Sequence, residues 1–381
     1  MQPPASNPTA PRPAPAPVGA AASPILFFDV TCRAPYALRT LAETGLGGTE
    51  ATAVRIAEAL DARVMQHCRS LAEGRYLPPA PASDVRHLVV LRDPHALVEL
   101  AARYPGARRY LWVHDRMRPG SRRGRRLEAC AGELAELAAT IVCVSEFQRA
   151  QVSEVLRRAR LEARVGVVTI YNPVDDTLAP NDAPIDRAKL VFCASPNKGL
   201  DFAVDVFRAM RRRIPELRLC VGSPGYKPTH TPLSAAEGIE WLGSLPHARI
   251  IEEVRTALAV LHPNFVIPET FGLVLAEARA VGTPVLTHDC GAALEVLGDP
   301  GQTLPVKPAQ RIYEALARPA PPQLRRGLAA AADALGVFRP YIERVRAWHE
   351  GARPSVHPDP RFYRSTVAAR WRALFAGELA T

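Results

Sequence analysis

Several things are scarce in this chain, and each scarcity closes off a reading. None of its 381 residues lie in an uninterrupted apolar run of about 18, the length a spanning helix needs. The N-terminus has neither the cationic start nor the apolar stretch of a secretory leader, so the expected address is the cytoplasm. Cysteine is sparse and odd in number: Cys32, Cys68, Cys130, Cys143, Cys193, Cys220 and Cys290, mostly inside apolar runs such as Ile141–Val144. That pattern predicts buried free thiols in a reducing compartment rather than a disulfide framework. There is no CxxC pair, no Cys/His cluster with zinc spacing and no D-x-D carboxylate pair, so no metal and no other cofactor is expected. Aromatic residues are few at 6%, and none interleave the basic run Arg116–Arg126, which argues against a single-stranded nucleic-acid platform; no nucleic-acid partner is expected.

What is present points to a large soluble α/β protein. Nearly half of the residues are apolar and the charges are scattered, and the length exceeds what one core usually supports. A formal charge of +10, carried by arginine rather than lysine, favours acidic partners such as nucleotide phosphates or anionic lipid head groups. Residues 1–23 are almost all Pro, Ala and small polar residues and read as a disordered tail. From Pro24 onward strand and helix patterns alternate. Strands are expected at 25–30, 85–91, 110–114 and 140–144, with helices from Gly48 and over 94–103, 126–138 and 146–159. Turn-rich residues 172–184 break the pattern, which then restarts with strands at 189–194, 217–221, 257–262 and 284–287 and helices at 199–212, 246–257 and 271–281. Beyond 305 the chain reads as helical, with prolines at 353–360 setting off a last helix of about 359–378. Two tandem alternations predict two Rossmann-like, doubly wound parallel-sheet domains, 24–178 and 185–355, facing a cleft.

Four segments carry chemistry. In Pro268–Ala278, Glu269 precedes a helix whose first turn holds Gly272, and Glu277 lies eight residues further on. The N-terminus of that helix is a seat for a diphosphate, with a carboxylate on either side to accept hydrogen bonds from sugar or ribose hydroxyls. Gly45, Gly47, Gly48 and Glu50 open the amphipathic helix whose apolar face is Ala53, Val54, Ile56, Ala57 and Leu60; glycines there let backbone approach phosphate. Lys198 and Gly199 follow the first strand of the second domain, where a lysine can neutralise a leaving diphosphate. His114 ends a strand at its carboxyl edge, with Asp115 beside it to orient it or meet a second substrate.

These residues resemble the retaining glycosyltransferase family 4 of the GT-B fold over most of 24–350. Pro263, Pro268, Glu269, Phe271, Gly272, Glu277, Ala278, Gly282, Pro284 and Val285 match its P-x-x-x-E-x-F-G-x-x-x-x-E-A and G-x-P-V signature. Gly47, Gly48 and Glu50 match its G-G-x-E turn, and Lys198–Gly199 its K-G pair; Cys193 and Ala194 stand where its usual arginine would be. The resemblance implies a closing segment 356–381 whose helix packs back on the first domain. It also implies that Glu269 contacts the donor sugar, that Glu277 holds the ribose, that the amides of Phe271–Leu273 meet sugar and phosphate, and that His114 lies near the reacting sugar. Arg249 is the candidate to replace the absent arginine on the phosphates. The expected function is transfer, with retention, of a hexose from a nucleotide-sugar donor to a glycan or lipid-linked acceptor, with Arg116–Arg126 touching an anionic membrane surface. The competing readings are a GT-B-like sugar-nucleotide epimerase or hydrolase and a non-catalytic binding scaffold.

Overall fold

The computed structural model describes residues 23–67, 74–77, 84–223 and 233–379, so Cys68 and all but the end of the Pro/Ala-rich tail lie outside the described residues. The first domain is a seven-stranded sheet of β1 (Ile25–Asp29), β2 (Arg63–Gln66), β3 (Tyr76–Leu77), β4 (His87–Leu91), β5 (Arg108–Trp112), β6 (Thr140–Cys143) and β7 (Gly166–Thr169). The second has six strands, β8 (Asp186–Phe192), β9 (Arg218–Gly222), β10 (Ile239–Gly243), β11 (Ala257–His262), β12 (Val285–His288) and β13 (Thr303–Leu304). All pairings are parallel, in the orders β3-β2-β1-β4-β5-β6-β7 and β10-β9-β8-β11-β12-β13. The order reverses between β1 and β4 in one sheet and between β8 and β11 in the other. Ligands of such sheets sit beyond the carboxyl ends of the strands at that reversal.

The sequence patterns anticipate the central strands and miss the edges. Strands β2, β3, β7, β10 and β13 are short or mix polar with apolar residues, so neither alternation nor a sustained apolar run marks them. The helix expected over 126–138 instead spans Arg122–Glu136, because the Ser121 hydroxyl accepts the Gly124 N–H and starts the helix a turn earlier. Two other helices of the first domain are also capped by side chains: Asp93 accepts from His95 and Ala96, and Ser145 from Gln148.

Residues 172–184 carry the chain from one domain to the other, and 353–363 bring it back. The two crossings touch, since the Val174 N–H donates to the Phe362 carbonyl at 2.8 Å and the Arg364 N–H to the Val174 carbonyl at 2.9 Å. The final helix Arg364–Ala376 then lies on the helix Gly48–Leu60 of the first domain. Its Trp371, fully buried, packs at 5.0 Å from Trp112 and 5.9 Å from Phe27. One hydrophobic cluster runs from the first domain through this helix into Phe271, Leu275 and Val260 of the second, so the domains share core rather than merely abut.

Candidate active site

The site is assembled at the two reversal points. In the second domain the chain leaves β8 through a 3₁₀ turn, Pro196–Lys198, and leaves β11 through the loop that holds Glu269. Asn264 braces this loop by accepting the Ile267 N–H and donating back to the Ile267 carbonyl. Gly291 packs against the Glu269 backbone; a Cβ there would come within 2.9 Å of the Glu269 nitrogen, which fixes the loop's height above the sheet. Gly272 then turns the chain into the helix Leu273–Ala280 with φ +92°, a left-handed conformation glycine adopts without strain.

This geometry brings Lys198 and Glu269 together. Lys198 Nζ lies 2.8 Å from Glu269 Oε2, and His262 Nε2 lies 3.3 Å from Oε1. Burial pushes the Glu269 carboxyl up, but Lys198 and His262 together outweigh it and hold it at about 2. Glu269 is therefore a carboxylate at any physiological pH, partnered on each oxygen by a group that points to the same place. At the other end of the helix Glu277 Oε1 accepts from Arg55 Nη2 at 2.8 Å and meets His247 Nε2 at 2.8 Å. Burial again opposes ionisation there, and His247 and Arg55 again win, holding the carboxyl at about 2.

The first domain closes over these groups. Gly48, at the start of the helix Gly48–Leu60, lies against Leu273, with only 3.5 Å between the Cβ it lacks and Leu273 Cδ1. Two helix N-termini, each with partial positive charge, thus meet. Such a convergence is favourable around an anion. The Thr270 hydroxyl donates to the His114 carbonyl at 2.7 Å and the Ser145 hydroxyl donates to the Thr270 carbonyl, clamping the Glu269 loop between the domains. Glu295 of the second domain accepts the N–H groups of Glu146 and Phe147, at 2.7 and 3.1 Å, at the start of a first-domain helix.

His114 is buried with its ring 4.6 Å from that of Trp112, and its Nε2 meets no hydrogen-bond partner among the described residues. Burial, helped by nearby Arg92, holds its pKa well below the ordinary value, so it acts as a neutral imidazole. Asp115 does not orient it; its carboxylate pairs with Arg123 and stands 3.7 Å from Arg92 Nε. Glu50 folds beneath Gly47 and faces Arg92 Nη1 at 3.6 Å. Arg249 lies exposed on the helix His247–Arg255, and the residue of that helix which reaches the site is His247.

Sequence reasoning passed over Arg55, His247, His262 and Arg92. Arg55 had a visible signal, a lone charge inside the apolar stretch Ala51–Ala57. Arg92 sits directly after β4 at the reversal point, with φ +67°, which a non-glycine residue seldom adopts. His262 had the signal that marked His114, a histidine at the carboxyl end of a strand, whereas His247 offered none, because only the fold carries it to Glu277.

The fold is GT-B: two parallel-sheet Rossmann-like domains around a cleft, as in solved glycosyltransferases of low sequence identity. The glycosyltransferase from Rickettsia africae superposes with a TM-score of 0.55 at 14% identity, over 93% of this chain and 98% of its own. AviGT4, involved in avilamycin A biosynthesis, gives 0.53 at 18% identity over 93% and 98%. The particular family then enters through the second domain, where residues 189–318 match the model for glycosyl transferases group 1. Phosphatidyl-myo-inositol mannosyltransferase of Mycobacterium tuberculosis is 30% identical over 182 residues, 44% of this chain and 48% of that protein. The chain spans about half the length of the curated relatives it matches.

Proposed function

We propose that this protein is a retaining hexosyltransferase that moves a sugar from a nucleoside-diphosphate donor to a glycan or lipid-linked acceptor. The observation that carries the reading is the line of groups along one cleft. Lys198 pairs with Glu269, Glu277 lies further along the helix Leu273–Ala280, and the start of that helix faces the start of the helix Gly48–Leu60; in this reading Glu277 serves the ribose, the helix starts and Lys198 the diphosphate, and Glu269 the sugar. In this reading Phe271, Gly272 and Leu273 lend backbone to sugar and phosphate, and Gly47 and Gly48 cover the phosphates from above. The bond from the anomeric carbon to the diphosphate breaks as an acceptor oxygen approaches from the same face. Departing negative charge is met by fixed dipoles and Lys198, which cost no reorganisation at that moment. Neutral His114 can hydrogen-bond a sugar hydroxyl without adding a charge beside an electron-poor sugar. The first domain supplies the acceptor side, and exposed Arg118, Arg122 and Arg125 give it a face suited to an anionic membrane surface at the cytoplasmic side. Among the described residues no helix is long and apolar enough to cross a membrane.

The test is a panel of nucleotide sugars with thermal shift and slow donor hydrolysis as readouts. One nucleoside-diphosphate class is expected to stabilise the protein, and Glu277→Ala to abolish the shift. No stabilisation by any donor would defeat the reading.

A further inference from the structure

Arg55 is a buried charge to which the donor reading assigns no role. Arg55 lies in the middle of the helix Gly48–Leu60, on the first domain, and its side chain is only 4% exposed. A buried guanidinium without partners would be strongly destabilising, and this one is fully engaged: Nη1 donates to the Pro173 carbonyl at 3.1 Å and Nη2 to Glu277 Oε1 at 2.8 Å. Pro173 belongs to the crossing between the domains. Arg55 therefore joins three parts of the molecule at one point: the helix opened by the glycine turn, the crossing, and the carboxylate of the second domain.

Both partners of Glu277 choose the same oxygen. Arg55 and His247 land on Oε1 of Glu277, and no hydrogen bond among the described residues reaches Oε2. A carboxylate fixed by two donors on one oxygen has its plane set and its second oxygen oriented, which is how a positioned acceptor differs from a merely present one. We propose that Arg55 is a positioning residue for the nucleoside of the donor: it pins Glu277 through Oε1 so that Oε2 is aimed to accept the ribose hydroxyls. The proposal rests on the donor reading of the cleft and adds to it a cation from the opposite domain. Ribose recognition is then complete only when the domains are closed, because the group that orients the carboxylate arrives with the first domain.

The test compares binding of UDP and GDP, whichever binds, with the matching 2′,3′-dideoxynucleoside diphosphate by calorimetry, in wild type, Arg55→Lys, Arg55→Gln and Glu277→Gln. Wild type is expected to favour the ribose form by about tenfold or more. Arg55→Gln is expected to lose most of that preference by weakening the ribose form alone, and Arg55→Lys, which retains charge and a single donor group, to recover part of it. A general packing defect would weaken both forms equally, and thermal melts identify a variant that has not folded; Arg55→Lys then carries the comparison. If Glu277→Gln loses the preference while both Arg55 variants keep it, the positioning role is overturned and the donor reading stands. If wild type itself does not distinguish the two forms, the ribose assignment of Glu277 fails and the role of Arg55 with it.

Discussion

Glu269 and Glu277 are both carboxyls whose burial opposes ionisation and whose cationic partners impose it. With folded pKa values near 2 against about 4.3 for a free glutamate, each contributes stability that is fully present above the unfolded value and is lost as pH falls toward about 2. Donor binding should accordingly stay flat between pH 8 and 5 as far as these carboxylates are concerned. A titration by fluorescence or calorimetry that showed a carboxylate-like midpoint near pH 4.5 would mean that the pairs do not hold in solution. Loss of Lys198 would remove the charge that does most to hold Glu269 down and leave only His262 to oppose burial. Lys198→Met is expected to raise the Glu269 pKa and to lower turnover by two or more orders of magnitude with a smaller change in donor affinity, a split readable in steady-state kinetics. Gly272 is the residue where backbone and site coincide. Gly272→Ala must take a left-handed φ and place its Cβ 2.9 Å from Leu275 Cδ1, so a loss on the order of 1–2 kcal/mol is expected by denaturant unfolding.

Among the elements, the final helix Arg364–Ala376 is the one whose sequence position and spatial position disagree. Its Trp371 has no exposed surface and fills the space between Phe27 and Trp112, in the first domain's core. Trp371→Ala is expected to cost about 3–5 kcal/mol. Hydrogen exchange should show the loss in β1 and β5 rather than in the second domain's sheet. The elements also show what the sequence makes legible. Central parallel strands are buried on both faces and announce themselves as apolar runs, as Leu88–Leu91 and Ala257–Leu261 do. Strands toward the sheet margin such as Arg63–Gln66 present buried polar residues whose partners lie elsewhere in the chain, and no local pattern reveals them. The site divides in the same way. Glu269, Glu277, Lys198 and the glycine turn are visible because they sit in motifs at strand ends. Arg55 and His247 become partners of Glu277 only through the packing of one domain on the other and of one helix on the next.

For the molecule as a whole, closure rests on contacts that each domain makes with the other across the cleft. Glu295 caps the N-terminus of the helix Glu146–Arg158 from across the cleft, and the Thr270 hydroxyl reaches the His114 carbonyl. Glu295→Ala removes an acceptor for two N–H groups and a negative charge at a helix N-terminus. Small-angle scattering should then report a larger radius of gyration without donor, and a return toward the wild-type value when donor is added; an unchanged radius would show that the other contacts across the cleft suffice for closure.

The return of the chain to the first domain also has a consequence for how the protein is made. A ribosome releases residues 23–223 long before Trp371, so the first sheet emerges with an unfilled gap between Phe27 and Trp112. That domain can collapse early but reaches its final packing only after the last helix leaves the exit tunnel. Nascent chains arrested before residue 364 should therefore expose a sticky, protease-sensitive first domain.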